Sequence, residues 1–131
     1  MTENSKKLIE YRFQQARETL DVAHELLGSG HFRDAVNRGY YAMFYCGLGL
    51  LAAKNLGTSK HSGVLSLFSQ HFVKTGEMST EAGQHLRQAF ELRQNCDYRE
   101  FVNISKEQVE EVLVNAFDFI KESKQLFEKL Y

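Results

Sequence analysis

Proline is absent from this sequence of 131 residues, and only two residues are cysteine. Because proline is the commonest helix breaker, its absence leaves long uninterrupted helices possible. The two cysteines, Cys46 and Cys96, stand alone, with no second ligand at zinc-binding spacing. We therefore expect two buried thiols in a reducing compartment, no disulfide and no metal site.

Neither one sign of charge nor a long hydrophobic run dominates the sequence. The net charge is −1, so the chain has no overall electrostatic signature of a dedicated nucleic-acid-binding protein. The longest uncharged run, residues 39–53, is shorter than the roughly 20 residues that a membrane span requires. The first residues lead into a helical pattern without the apolar core of a signal peptide. We expect a cytoplasmic protein that does not associate with a membrane.

The signatures of several enzyme classes are also missing. The chain has no glycine-rich phosphate loop after a strand, no HExxH motif and no serine elbow. Its histidines show no pairing at metal-ligand spacing. We expect no cofactor.

Apolar residues recur at spacings of three and four along nearly the whole chain. This periodicity predicts helices over about residues 5–27, 31–56, 59–74 and 80–98, and a fifth that follows the capping box Ser105–Gln108. Gly28, Gly57 and Gly76 each follow a helical pattern, where a left-handed cap is expected. The sequence predicts a single all-α domain over residues 1–131, an antiparallel up-and-down bundle of about five helices.

The second predicted helix is apolar over much of its circumference and contains three glycines, Gly39, Gly47 and Gly49. Each glycine lowers helix propensity by about 1 kcal/mol relative to alanine. We expect another backbone to approach this helix closely, either within the bundle or across a dimer interface.

Residues 93–98 place a cation, two amides, a thiol, a carboxylate and a phenol in less than two helical turns. Arg93 and Asp97 lie four residues apart and can meet on one helix face, while Tyr98 lies about 100° further round. One interpretation is a surface ion pair that contributes little stability. The other is a phosphate site in which Arg93 is the main ligand, Asp97 orients it, and Tyr98 donates a hydrogen bond or stacks.

Two further segments carry candidate binding residues. Arg38 enters the apolar second helix beside Tyr41, so it needs a partner, which could be a carboxylate such as Asp97 or a ligand phosphate. Lys60 and His61 open the third predicted helix, where free backbone amides favour anions. The alternatives are an aromatic core stripe and an ordinary N-cap by Thr58 or Ser59.

These segments together resemble a HEPN domain, a name that abbreviates higher eukaryotes and prokaryotes nucleotide-binding. The resemblance covers nearly the whole chain and depends on residues 34–45, 60–64, 72–76 and 92–98. It implies a helical bundle that forms a homodimer and a functional association with a minimal nucleotidyltransferase, in several pairs as toxin and antitoxin. Catalytic members are metal-independent endoribonucleases that use an arginine followed, after four to six residues, by a histidine.

In this chain the arginine corresponds to Arg93, but Tyr98 stands where the histidine is expected. Histidine titrates near neutral pH, whereas a tyrosine with a pKa of about 10 is a poor base there. We therefore expect a dimer that binds a nucleotide, RNA phosphate or a nucleotidyltransferase partner, with Arg93, Asp97 and Tyr98 as primary residues.

Two alternatives remain open. The first is an endoribonuclease toxin in which Arg93 and Tyr98 are catalytic and His61 supplies the missing imidazole. The second is a non-catalytic helical module that regulates its partner. Arg38, Tyr41, Lys60 and His61 are the additional candidate binding residues.

Overall fold

The computed structural model describes residues 2–98 and 103–130, and these residues form five α-helices. They are α1 (Glu3–Gly28), α2 (Phe32–Ala53), α3 (His61–Phe68), α4 (Thr80–Tyr98) and α5 (Lys106–Leu130). A π-helical turn, Ser69–Val73, continues α3. The described residues contain no strand. The predicted all-α bundle of about five helices is confirmed.

The four long helices alternate in direction. Only three residues, 29–31, join α1 to α2, so these two helices pack as an antiparallel hairpin. Arg33, at the start of α2, donates a hydrogen bond to the Cys96 carbonyl at the end of α4, 3.1 Å away. Ser79, just before α4, hydrogen-bonds to the Glu122 carboxylate late in α5. The short α3 packs beside α2 and α4.

Helix α2 lies at the centre and contacts each of the other four helices. A Cβ atom added at Gly39 would lie 2.9 Å from Leu113 of α5, and one added at Gly49 would lie 3.3 Å from Arg12 of α1. At Gly47 the nearest atom would be 4.0 Å away. The predicted close approach of another backbone is therefore found at Gly49, where the Ile9 backbone oxygen would lie 3.8 Å from the added Cβ atom. At Gly39 the close neighbours are side-chain atoms, and at Gly47 nothing is close.

Two of the three predicted glycine caps are wrong. Gly28 is the last residue of α1, and the left-handed residue of that turn is Gly30, with φ of 78°. After α2 the left-handed residue is Asn55, with φ of 59°, because asparagine tolerates this conformation better than most residues. Gly57 has no positive φ, whereas Gly76 has φ of 80°, as predicted.

The third helix begins and ends differently from the prediction. Its N-cap is Lys60, not Thr58 or Ser59, and its α-helical part stops at Phe68. The π-helical turn that follows widens the backbone and leaves the His71 carbonyl able to accept a hydrogen bond from Lys54 Nζ at 2.6 Å. A tertiary contact of this kind leaves no signature in apolar periodicity.

The start of α5 follows the prediction. Gln108 N donates to Ser105 Oγ at 3.1 Å, and Ser105 N donates to Gln108 Oε1 at 2.9 Å. Each side chain thus accepts a hydrogen bond from the other residue's otherwise unpaired amide, and the predicted capping box is confirmed.

Both cysteines are buried free thiols, as expected from their isolation in the sequence. Burial raises the pKa of each thiol, so neither is an activated nucleophile. Among the described residues, no helix is long and apolar enough to cross a membrane.

Candidate functional site

Arg93 lies on α4 with its guanidinium over two tyrosine rings of α2. Its Cζ is 5.5 Å from the ring centroid of Tyr40 and 5.3 Å from that of Tyr41. Its Nε is 3.1 Å from Asp97 Oδ2, one turn further along α4. Because the Arg93 side chain is only 16% exposed, the cation is held largely out of solvent by aromatic faces and one carboxylate.

The contact between Arg93 and Asp97 is an ion pair and not a well-formed hydrogen bond. The buried Nε makes no hydrogen bond of good geometry among the residues the structure describes, although the carboxylate oxygen is close. The Asp97 side chain is 36% exposed, so solvent weakens its attraction for the arginine. Asp97 therefore offsets only part of the Arg93 charge.

A second guanidinium approaches the same tyrosine. Arg38 Cζ is 4.8 Å from the ring centroid of Tyr41, and its Nε and Nη2 donate to Asn37 Oδ1 at 3.0 and 2.7 Å. The partner of Arg38 is thus a neutral amide, and in the described part of the chain no carboxylate lies within 4.0 Å of it. Arg38 is partly buried and its charge is not neutralised by Asp97, the partner considered from the sequence.

His61, the first residue of α3, contacts the same two tyrosine rings as Arg93. Its Nδ1 is 2.9 Å from the Tyr40 hydroxyl, and its ring stacks on Phe44 with centroids 4.3 Å apart and an interplanar angle of 9°. Burial and, secondarily, the charge of Arg93 lower the pKa of His61 below its ordinary value. The imidazole is therefore held neutral at neutral pH, near the Arg93 cation.

Tyr40 is the residue that the sequence did not single out. It is fully buried, and its ring contacts those of Tyr41, Phe44, His61 and Phe90. Burial raises the pKa of its phenol, with Arg93 opposing the shift, so the hydroxyl keeps its proton. One signal was available: a tyrosine inside a strongly apolar helix needs a polar partner for its hydroxyl.

Six residues from three helices thus form one connected group, which we call the Arg93 cluster. Its members are Arg38, Tyr40, Tyr41, His61, Arg93 and Asp97. The cluster carries two cations and one partly exposed carboxylate, and its histidine is neutral. It therefore has net positive charge and a set of directed donors, which suits an anion with several oxygens.

Two of the predicted site residues, Tyr98 and Lys60, lie at the edge of the Arg93 cluster or outside it. Tyr98 ends α4 with 77% of its surface exposed, and the described residues give it no ring contact. Lys60 is exposed at the N-cap of α3, next to His61. A role for either residue stays a prediction.

No described group of three or more His, Cys, Asp or Glu side chains could hold a metal ion. The described donors of the Arg93 cluster are cations, phenols and one imidazole, with a single carboxylate. That composition suits an anionic ligand better than a cation.

Comparison with known proteins identifies the family. A family model described as HEPN domain matches residues 9–127, which is most of the chain. The chain belongs to the HEPN family. The resemblance inferred from the tyrosine-pair segment of α2 and the arginine segment of α4 is confirmed.

Individual relatives of this HEPN protein match along most of its length. A UPF0332 protein of Thermotoga maritima is 44% identical over 95% of this chain and 95% of its own. A Methanocaldococcus jannaschii protein bearing the name "Putative toxin MJ0142" is 35% identical over 92% of this chain and 82% of its own. A UPF0332 protein of Archaeoglobus fulgidus is 25% identical over 92% of this chain.

Proposed function

We propose that this HEPN protein binds the phosphate of a nucleotide or of RNA through the Arg93 cluster. The observation that carries the proposal is the placement of two guanidinium groups, Arg38 and Arg93, on one tyrosine ring, with a single partly exposed carboxylate that pairs with Arg93 alone. A largely buried guanidinium with a second cation on the same ring and only one partly exposed carboxylate is incompletely compensated without a further anion. A phosphate supplies that anion and accepts hydrogen bonds from both forks.

We further propose that the protein works as a homodimer with a minimal nucleotidyltransferase partner, in a module of the toxin–antitoxin type. Family membership and the relative named as a toxin support this proposal. Light scattering should give twice the monomer mass, and the protein should co-purify with a nucleotidyltransferase expressed from a neighbouring gene. A protein that stays monomeric and does not co-purify with a nucleotidyltransferase would contradict this proposal.

The phosphate proposal is tested by binding of a short, fluorescently labelled single-stranded RNA in EDTA. Arg93→Gln removes the cation and keeps a shorter, uncharged polar side chain. A hydrogen bond to a charged group contributes about 1.5–3 kcal/mol, so Kd should rise roughly 10- to 100-fold. Arg87→Gln is the matched control, since Arg87 is an exposed arginine on the same helix. Equal Kd values for the two variants would contradict the proposal.

A second candidate function is metal-independent RNA cleavage. It is favoured by the position of His61, which brings an imidazole to the Arg93 cluster although the α4 segment ends in Tyr98. If the protein is a nuclease, mixed cellular RNA in EDTA should be cut to 2′,3′-cyclic ends by wild type and not by Arg93→Gln. Intact RNA after incubation with wild type, under conditions where the labelled RNA binds, would leave binding as the function.

A further inference from the structure

We propose that Tyr40 fixes the tautomer of His61, so that His61 presents its Nε2–H as a hydrogen-bond donor to the phosphate at the Arg93 cluster. Tyr40 is then a positioning residue that does not touch the ligand, and His61 is a donor and not a proton acceptor. This inference rests on the proposed function, because it names how one residue of that same site meets the phosphate.

The direction of the hydrogen bond between the two side chains follows from burial. The Tyr40 side chain is fully buried, so its hydroxyl proton needs an acceptor inside the protein. Among the described residues that acceptor is His61 Nδ1, at 2.9 Å. Since burial raises the phenol pKa, the hydroxyl stays protonated and donates. A neutral imidazole that accepts at Nδ1 carries its own proton on Nε2.

The orientation of the imidazole is fixed as well as its tautomer. Phe44 stacks on one face of the ring, and the Tyr41 ring meets it edge-on at 5.6 Å with an interplanar angle of 84°. The ring contacts fix the plane of the imidazole, and a half-turn within that plane would break the hydrogen bond to Tyr40. The Nε2–H direction is therefore set before any ligand arrives, which lowers the entropic cost of binding.

This arrangement also decides what His61 can do in a reaction. With Nδ1 occupied by Tyr40 and a proton on Nε2, the neutral ring has no lone pair free to take a proton from a 2′-hydroxyl. It can donate a hydrogen bond to a phosphate oxygen beside Arg93. The inference thus assigns His61 to anion recognition, and a cleaving protein would need its base elsewhere.

The test uses ¹⁵N NMR of the histidine side chains together with RNA binding. In wild type at neutral pH, His61 should show a protonated Nε2 and an unprotonated Nδ1. Tyr40→Phe keeps the aromatic ring and removes the hydroxyl, so both tautomers should become populated. If the two tautomers become equally populated, Kd for the labelled RNA should rise about twofold, because only half of the molecules then carry the Nε2–H donor.

Tyr45→Phe is the control, because Tyr45 is a partly buried tyrosine of the same helix outside the Arg93 cluster. Removing the Tyr45 hydroxyl should leave the His61 NMR signals and the Kd for the labelled RNA unchanged. A wild-type His61 protonated on Nδ1 would overturn the inference, whether or not Tyr40→Phe folds. RNA that fails to bind wild type, with Nε2 protonated as described, would instead overturn the proposed function and leave the tautomer assignment standing.

Discussion

At the scale of single residues, the Arg93 cluster shows how two side chains of like charge can be packed among aromatic rings. Arg93 and Arg38 share the Tyr41 ring, and aromatic faces offset part of the cost of removing each guanidinium from water. His61 stays neutral because burial and Arg93 both disfavour its protonated form. The cluster therefore concentrates donors without adding a third cation.

The lowered pKa of His61 predicts a pH dependence of stability. The groups that face His61 are Tyr40 and Tyr41 on α2 and Arg93 on α4. The unfolded chain binds a proton at the ordinary pKa of about 6.5, whereas the folded protein binds it only at lower pH. Since the unfolded state then holds more protons, the free energy of unfolding falls as pH decreases from 6.5 towards the folded-state value.

His61→Gln removes this titration. The free energy of unfolding of wild type relative to His61→Gln should be largest near neutral pH and should shrink as the pH is lowered to about 5. Urea denaturation at several pH values measures this difference in free energy of unfolding. His24→Gln is the control, because it replaces a histidine at an exposed position on α1. A stability difference that stays constant over this range would contradict the lowered pKa.

At the scale of the helices, the glycines of α2 set how closely its neighbours approach. A Cβ atom at Gly39 would lie 2.9 Å from Leu113 and 3.0 Å from Val112 of α5, so these side chains would have to shift, whereas at Gly47 the nearest atom would be 4.0 Å away. Gly39 is part of the α2 segment that also carries Arg38, Tyr40 and Tyr41. The packing of α5 against this segment therefore supports the position of the Arg93 cluster.

This difference predicts opposite effects of the same substitution. Gly39→Ala should lower the free energy of unfolding by up to about 2 kcal/mol, because overpacking against α5 costs about 1–3 kcal/mol and the higher helix propensity of alanine offsets about 1 kcal/mol of it. Gly47→Ala should raise it by up to about 1 kcal/mol, because alanine has the higher helix propensity and meets no close atom. Urea denaturation of both variants checks the pair, and a shift of the same sign in both would refute this explanation.

Much of the helix layout could be predicted from the sequence, because each long helix buries a regular apolar stripe. The capping box at Ser105 was also readable, since both partners lie within four residues. The π-helical turn after Phe68 could not be read, because neither its wider backbone hydrogen bond, Lys74 N to Ser69 O, nor its contact with the distant Lys54 side chain leaves a mark on the apolar pattern. Tertiary contacts, and not local patterns, decide such features.

The same limit applies to the candidate site. The sequence pointed to Arg93, Arg38, Tyr41 and His61 separately, and the structure brings them into one cluster. It did not point to Tyr40, whose importance comes from contacts with residues on two other helices, α3 and α4. The sequence predicts Tyr98 as a primary binding residue, yet it is 77% exposed.

At the scale of the whole molecule, a chain with net charge −1 carries a local positive site. Long-range steering of RNA should therefore be weak, and affinity should come from the few phosphates that reach the Arg93 cluster. This arrangement suits recognition of one nucleotide or one position in an RNA better than sequence-independent coating of a long strand. Family membership is consistent with such a role.

The most direct measurement of the central claim is an NMR titration of the arginine side-chain Nε–H signals with the short single-stranded RNA in EDTA. The Arg93 signal, assigned by its absence in Arg93→Gln, should shift saturably with the Kd found by fluorescence, while the signal of exposed Arg87 stays in place. RNA binding that leaves the Arg93 signal unmoved would contradict the assignment of the phosphate site.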